Sequence, residues 1–289
     1  MGRRSAVPLH KSNQAKLIDT VQDYNNPHKK VTVHLGLGIG DRASAVCHTH
    51  SDWFFYEDDN LYIQIKSEAE CRKHSENDAC GECRQAGRDN FEAKTEAGND
   101  RIILISNTYT NHAAGGRTGE EQYFGLRDTV EQYFALDVPG APDDPRVHQG
   151  FDMIQCDGKN GLSNRTANTW LREVAAESAI KAPRRKRRLK EQLTSGTSYN
   201  DEDEEEENEE EKRAVEEQIT DFGRDEDGNQ IPDLIFHDLR ACYCTQLCRN
   251  EVPPNKAINK TGHSDPDSLK PYVMFAANEI DAEEEENWF

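Results

Sequence analysis

In HDLR, residues 237 to 240, an imidazole and a guanidinium stand three positions apart, a spacing that puts both on one face of a helix and lets them meet one small anion. Twenty-six positions after His237 comes His263, behind the glycine of TGH, and nine further on comes Tyr272, directly behind Pro271. A guanidinium grips phosphate oxygens as a planar fork, imidazoles move or share protons, and a phenol can attack phosphorus. These residue types make a phosphoryl-transfer set that needs no metal. Taken singly each has a bland reading, since His and Arg on a helix surface are usually solvated.

HDLRACYCTQLCRN followed by TGHSDPDSLKPY resembles the carboxy-terminal signature of the tyrosine recombinases, the phage-integrase family of site-specific DNA recombinases, of the kind found in haloarchaea and their mobile elements. The resemblance implies that Tyr272 attacks a DNA phosphate and forms a 3′-phosphotyrosine, releasing a 5′-hydroxyl. It implies that Arg240 stabilises the non-bridging oxygens, that His263 hydrogen-bonds the same phosphate, and that His237 serves the tyrosine as acid and base. Two more residues are implied upstream. The family's first arginine follows a Gly-containing turn at a helix start, which selects Arg42 behind Gly40 in LGIGDRASAVCHTHSDW. The chain departs from the pattern in having Ala45 where an acidic residue often stands three positions after that arginine. The lysine on a β-hairpin, which would protonate the departing oxygen, is matched by Lys94 in FEAKTEAGNDRIILI. Such chemistry keeps the bond energy in a protein–DNA ester and calls for no catalytic cofactor. The implied partner is double-stranded DNA, with self-assembly of the protein on it.

The elements that must position these residues are legible as patterns. QAKLIDTVQDY reads as a short amphipathic helix, VTVHLGLGI as an apolar segment, and DRASAVCHTHSDWFF as a second helix ending near the Asp-Trp. NLYIQIK alternates as a strand does, and RIILIS answers it with a β-branched run. GLRDTVEQYFAL and SNRTANTWLREVAAESAI are helical, with Ser163 or Asn164 able to cap the second. IFHDLRACYCTQLCRN, VPPNKAINK and PYVMFAANEI, with Pro271 in its first turn, predict three closing helices. The expected fold class is α+β, mostly α-helical, with a small antiparallel sheet carrying Lys94. The resemblance runs from about residue 14 to about residue 280, so residues 1–289 read as a single catalytic domain. It is interrupted by a Cys-rich excursion at 67–93 and a charged, disordered insertion at 183–230. The separate amino-terminal domain with which most of the family clamp DNA is not part of the match. The expectation is therefore a catalytic domain working alone, a clamp supplied by a partner, or a remnant.

The excursion has its own chemistry. CRKHSENDACGEC holds Cys71, His74, Cys80 and Cys83, two short pairs that can pinch a tetrahedral structural zinc. His48 or His50 could replace His74 as the fourth ligand, and reduced cysteines in a polar loop remain the alternative. A zinc here would fold the loop and take no part in the strand chemistry. CYCTQLC, 242 to 248, reads instead as small buried residues on a helix.

Charge weighs against this picture and has to be accommodated. The formal net charge is −20, and DEDEEEENEEE at 201–211 supplies ten carboxylates, whereas DNA binding rests on Lys and Arg. PRRKRRLK at 183–190 clusters the opposite sign, and molar salt shortens the screening length to about 3 Å, which suits a halophilic host. No apolar run approaches the roughly 20 residues of a membrane span, and MGRRSAVPLHKSNQ lacks the apolar core of a signal peptide, so no membrane partner and a cytoplasmic location are expected. Two rivals stand beside the recombinase reading: a non-catalytic acidic DNA mimic or interaction protein, and a type IB topoisomerase-like enzyme.

Overall fold

In the computed structural model the described residues are 6, 8–9, 11–71, 80–93, 100–111, 120–139, 150–156, 160–178, 180 and 234–276. His74, Lys94, the insertion at 183–230 with its basic and acidic runs, and the acidic tail lie outside them.

The apolar VTVHLGLGI becomes the central helix. After α1 (Lys11–Gln22), α2 (Pro27–Ile39) starts on Asn26, whose side chain accepts from the His28 and Lys29 N–H groups, with Pro27 pre-set for the first turn. Val31, Val33, Leu35, Leu37 and Ile39 are all buried, with Thr32, His34 and Gly36 between them, so beyond its first turn α2 has no solvent face. It lies in contact with α1, with α3 (Ala43–Cys47), with α5 (Leu126–Phe134), with α6 (Asn164–Glu177) and with the helix Phe236–Arg249, α7 below. Ser163 caps α6, accepting from the Thr166 N–H.

Beside this bundle sits a three-stranded antiparallel sheet of β1 (Phe54–Glu57), β2 (Asn60–Ile65) and β5 (Arg101–Ile105), ordered β1-β2-β5. Leu61 pairs with Ile105 and Ile63 with Ile103, which puts one alternating set of side chains on the core. Between β2 and β5 the chain makes a separate two-stranded hairpin, β3 (Glu68–Glu70) with β4 (Asn90–Glu92), carrying the short helix α4 (Gly81–Gln85). Two further small hairpins pair β6 (Thr108–Asn111) with β7 (Glu120–Tyr123) and β8 (Gln155–Cys156) with β9 (Asn160–Gly161). The fold class is α+β, mostly helical, with a small antiparallel sheet, as the sequence pattern predicts.

One expectation is corrected. DRASAVCHTHSDWFF is not one helix: α3 stops at Cys47, a single 3₁₀ turn spans Ser51–Trp53, and FFYE is strand β1. Successive aromatics at 54–56 pack better on a pleated, half-buried surface than on a helix, and β2 offers the pairing edge.

The carboxy-terminal region folds against α7 (Phe236–Arg249), which is buried on two sides. Phe236, Leu239 and Cys242 face the main core, while Ala241, Cys244 and Leu247 form a second small core with Ala257, Leu269 and Tyr272. That second core holds α8 (Pro254–Thr261), the 3₁₀ turn Pro266–Leu269 and the helical residues 270–276. Burying Leu269 contributes about 1.5–3 kcal/mol towards keeping the Tyr272 segment in place. The dense thiols of CYCTQLC are spent on packing: Cys242 and Cys244 are fully buried.

Candidate active site

Three chain segments meet at the junction of the two cores. The first is the exit from α2. Gly40 is left-handed, with φ +59°, and a Cβ there would fall 2.2 Å from the Tyr243 ring, so both backbone and space demand glycine. The turn delivers Asp41 and Arg42. Arg42 is the N-cap residue of α3, its N–H donating to Asp41 Oδ1 at 2.7 Å and its carbonyl accepting from the Ala45 and Val46 N–H groups.

The second segment is the start of α7. Asp238 accepts from the Ile235 N–H at 3.0 Å, and the Phe236 N–H donates to Asn168 Oδ1 at 2.8 Å, tying this helix end to α6. His237 is exposed there, and Arg240, a turn further in, is fully buried. Arg240 Nη1 donates to the Gly40 carbonyl at 2.9 Å and Nη2 to His263 Nε2 at 3.2 Å, while Nε is buried without a partner among the described residues.

The third segment follows α8. It ends on Gly262, again left-handed at φ +65°, which turns His263 back towards Arg240. Thr261 Oγ1 donates to the Ala257 carbonyl, so it accepts from the Nδ1–H of His263 at 2.7 Å. That assigns the tautomer and leaves Nε2 as the acceptor that Arg240 uses. The resemblance implies a hydrogen bond from this histidine to phosphate; here its free lone pair is engaged with the guanidinium. The His263 and Tyr272 rings lie 6.1 Å apart.

Sequence reasoning missed two members. Arg101 is buried; its Nη2 pairs with Asp41 Oδ2 at 2.7 Å and its Nη1 donates to the Lys260 carbonyl at 2.8 Å, joining β5, the α2–α3 turn and α8. Asp41 also lies 4.0 Å from Arg240. Alternation could have found Arg101, because it falls on the same inward face as Ile103 and Ile105. Asp41 left no such signal. Ala93, directly after β4, lines a small pocket with Asp41, Arg42 and Arg101, and Lys94 lies outside the described residues.

The electrostatics follow from two guanidiniums, of Arg101 and Arg240, beside one buried carboxylate, with the Arg42 guanidinium within their field. Burial and then repulsion from Arg240 push Arg42 below its ordinary pKa, which places the two arginines within each other's field. Burial, then Arg240 and Arg42, push His263 down to about 3, so its imidazole is neutral at neutral pH. Burial and then Cys244 push the Tyr272 phenol up to about 12, against the pull of Arg240, so the tyrosine is protonated and its attack requires a base. The arrangement is a surplus of buried positive charge beside a neutral phenol.

A second cluster lies at the other end of α3. His48, Cys71, Cys80 and Cys83 are all buried, and their ligand atoms lie within 4.8 Å of one another, so the group could hold a zinc ion. His48 occupies the fourth position that the local spacing had given first to His74.

No family model matches the sequence, and no curated protein matches it. Among solved structures, the chain is similar to the XerH site-specific recombinase bound to difH substrate, with TM-score 0.47 and 9% identity over 93% of this chain and 51% of that one. It is similar at TM-score 0.47 and 12% identity to the Tn1549 transposon integrase in complex with transposon right end DNA, over 100% and 68%. A lambda integrase dimer bound to a COC′ core site gives 0.43 and 12%, over 94% and 49%. The chain thus spans about half the length of the first and last of these structures. Likeness at this level leaves the side chains of this chain to carry any reading of function.

Proposed function

We propose that this protein cleaves and rejoins DNA strands as a site-specific tyrosine recombinase, an integrase, through a 3′-phosphotyrosine on Tyr272. The observation that carries the reading is the convergence of Arg42, Arg240, His263 and Tyr272, from segments up to 230 residues apart in sequence, on one buried and positively charged site.

A phosphodiester entering the site would bring negative charge to Arg42 and Arg240 and offer the unpartnered Arg240 Nε an acceptor. Preorganised donors of this kind act on the charge that gathers on the non-bridging oxygens as the tyrosine attacks, where the largest catalytic effect usually lies. His263 holds the Arg240 guanidinium in plane and, being neutral, adds no further charge. His237, exposed and within electrostatic reach of His263, would take the phenol proton. Lys94 would return a proton to the leaving 5′ oxygen. The Tyr272–phosphorus bond forms as the phosphorus–O5′ bond breaks, and reversal by a 5′-hydroxyl restores DNA and enzyme, so no external energy source is needed. Double-stranded DNA is the partner, assembly on it is expected, and the cytoplasm is the place of action. Among the described residues no helix is long and apolar enough to cross a membrane.

The test is cleavage of a duplex carrying the cognate site. Wild-type protein should cut it, and Tyr272→Phe, which removes one buried oxygen, should bind it equally and leave it uncut. Equal cutting by the variant would assign the nucleophile elsewhere, and binding without cutting by the wild type would favour the non-catalytic interaction protein.

A further inference from the structure

We infer that His48, Cys71, Cys80 and Cys83 bind a tetrahedral zinc ion, and that this zinc positions Arg42. The site stands on ligand geometry alone, whereas its link to strand cleavage rests on the proposed function.

His48 Nε2 lies 3.6, 3.6 and 3.4 Å from the sulfurs of Cys71, Cys80 and Cys83. A tetrahedron with Zn–S near 2.3 Å and Zn–N near 2.0–2.1 Å has N···S edges of about 3.5 Å, so the three N···S separations match a zinc site, and all four ligand atoms lie within 4.8 Å of one another. Hydrogen bonding among neutral groups does not account for this: one imidazole lone pair can accept one S–H, and here three sulfurs surround it. The lone pair is aimed. The Nδ1–H of His48 donates to the Ser44 carbonyl at 2.6 Å, fixing the tautomer that leaves Nε2 open, and the ring packs on Phe91 at 4.9 Å. A backbone carbonyl on the far nitrogen is the usual way a metal-bound histidine is oriented.

The fold around the cluster needs such a tie. β3 and β4 make a separate two-stranded hairpin, which is marginal on its own; Phe91 anchors it in the main core, and its other buried residues among those described are the three cysteines. A stretch this short with so little apolar core of its own is commonly stapled by metal. The sequence had confined the metal's role to folding this loop, but its fourth ligand lies outside the loop. His48 closes α3, whose N-cap residue is Arg42, and Ala93 directly after β4 lines the pocket beside Arg42. One ion would therefore clamp the helix that presents Arg42 to the hairpin that leads into Lys94.

Full-length protein purified without chelators should carry about one zinc per chain. Exchange into cobalt(II) should give thiolate-to-metal charge-transfer absorption and the visible bands of a tetrahedral ion. His48→Ala should lose the metal and His74→Ala should keep it; should His48→Ala fail to fold, Cys83→Ser in the wild-type background serves the same purpose. Removing zinc should speed amide exchange at 43–48 and 90–93 while α5 and α6 stay protected, and should depress strand cleavage as strongly as Arg42→Ala does, with recovery on adding zinc back. Metal-free protein that takes up no cobalt, or loss of metal on His74→Ala instead of His48→Ala, would overturn the site. Unchanged exchange at 43–48 in the zinc-free protein would overturn the positioning role. Protein that holds zinc, responds in exchange and still never cuts DNA would count against the proposed function and leave this inference standing.

Discussion

The two ends of α3 pose opposite problems. At its start, Arg42 lies in the field of Arg240 and Arg101, which flank the single carboxylate of Asp41, an excess of positive charge suited to an anion. At its end, His48 meets three cysteines, a set of lone pairs suited to a cation. Neither cluster is explained by burial for its own sake, because charged and polar groups are costly to bury without partners. The first is partly neutralised inside the chain, by Asp41. In the second, the Cys80 N–H donates to Cys71 Sγ at 3.3 Å and the His48 ring donates to the Ser44 carbonyl. On the zinc inference, the difference is that the anion end can keep its shape before its ligand arrives, whereas the thiol end would gain its cohesion from the ion.

The sharpest way to break the comparison is to remove the fork at the anion end. Arg240→Ala should lower strand cleavage by about 10³-fold, the size of losing a preorganised donor to a developing oxyanion. Arg42→Lys should cost somewhat less, about 10²-fold, since a point ammonium keeps the charge but loses the planar grip. Single-turnover cleavage rates would check both. If the two variants cut at the wild-type rate, the positive cluster is structural and not catalytic.

Asp41→Asn separates self-neutralisation from ligand binding. Losing the buried carboxylate leaves Arg101 without its ion pair and Arg240 and Arg42 without a nearby countercharge, and breaking a buried pair of this kind costs about 3–5 kcal/mol of stability. Urea unfolding should therefore show a clear loss, relieved by a bound oligonucleotide that supplies the missing negative charge. A variant as stable as the wild type would mean that water already screens the three arginines.

The smallest expected effect is on pH. His263 and His34 are both held near 3, by burial first, against an ordinary value of 6.5. Between about pH 6.5 and pH 3 the unfolded chain binds protons at these positions that the folded chain refuses, so stability falls as pH is lowered through that window. Above 6.5 neither histidine contributes. His34→Asn should make the acid side of a melting-temperature profile less steep than in the wild type without altering the slope above pH 7. Equal slopes would show that His34 is charged in the folded protein.

How much of this was legible in sequence depends on how local each signal is. His237, Arg240, His263 and Tyr272 share one stretch of chain whose fixed separations survive as text, and α7, α8 and the helix bearing Tyr272 fall where the pattern placed them. β2 and β5 announced themselves by alternation. β1 did not, because FFYE follows a helical run without a breaker and its strand character comes from pairing with β2. The candidate metal set was partly legible: a Cys-x2-His and a Cys-x2-Cys spacing gave the thiols and His48 stood among the alternatives to His74, but it comes from 23 residues upstream of Cys71 and is singled out only by the way α3 docks beside the hairpin. Asp41 adjoins Arg42 and carries no period of its own, so only its contacts with Arg101 and Arg240 reveal it.

The most direct test of the central claim is to trap the protein on a nicked duplex, in which the short 5′-hydroxyl strand diffuses away after attack, and to map the adduct by mass spectrometry. The account predicts a nucleotide joined through a 3′-phosphate to the hydroxyl of Tyr272, with a free 5′-hydroxyl on the released strand and no adduct from Tyr272→Phe. No covalent species from zinc-replete wild-type protein on a duplex it binds, or a phosphate attached to another residue, would contradict it.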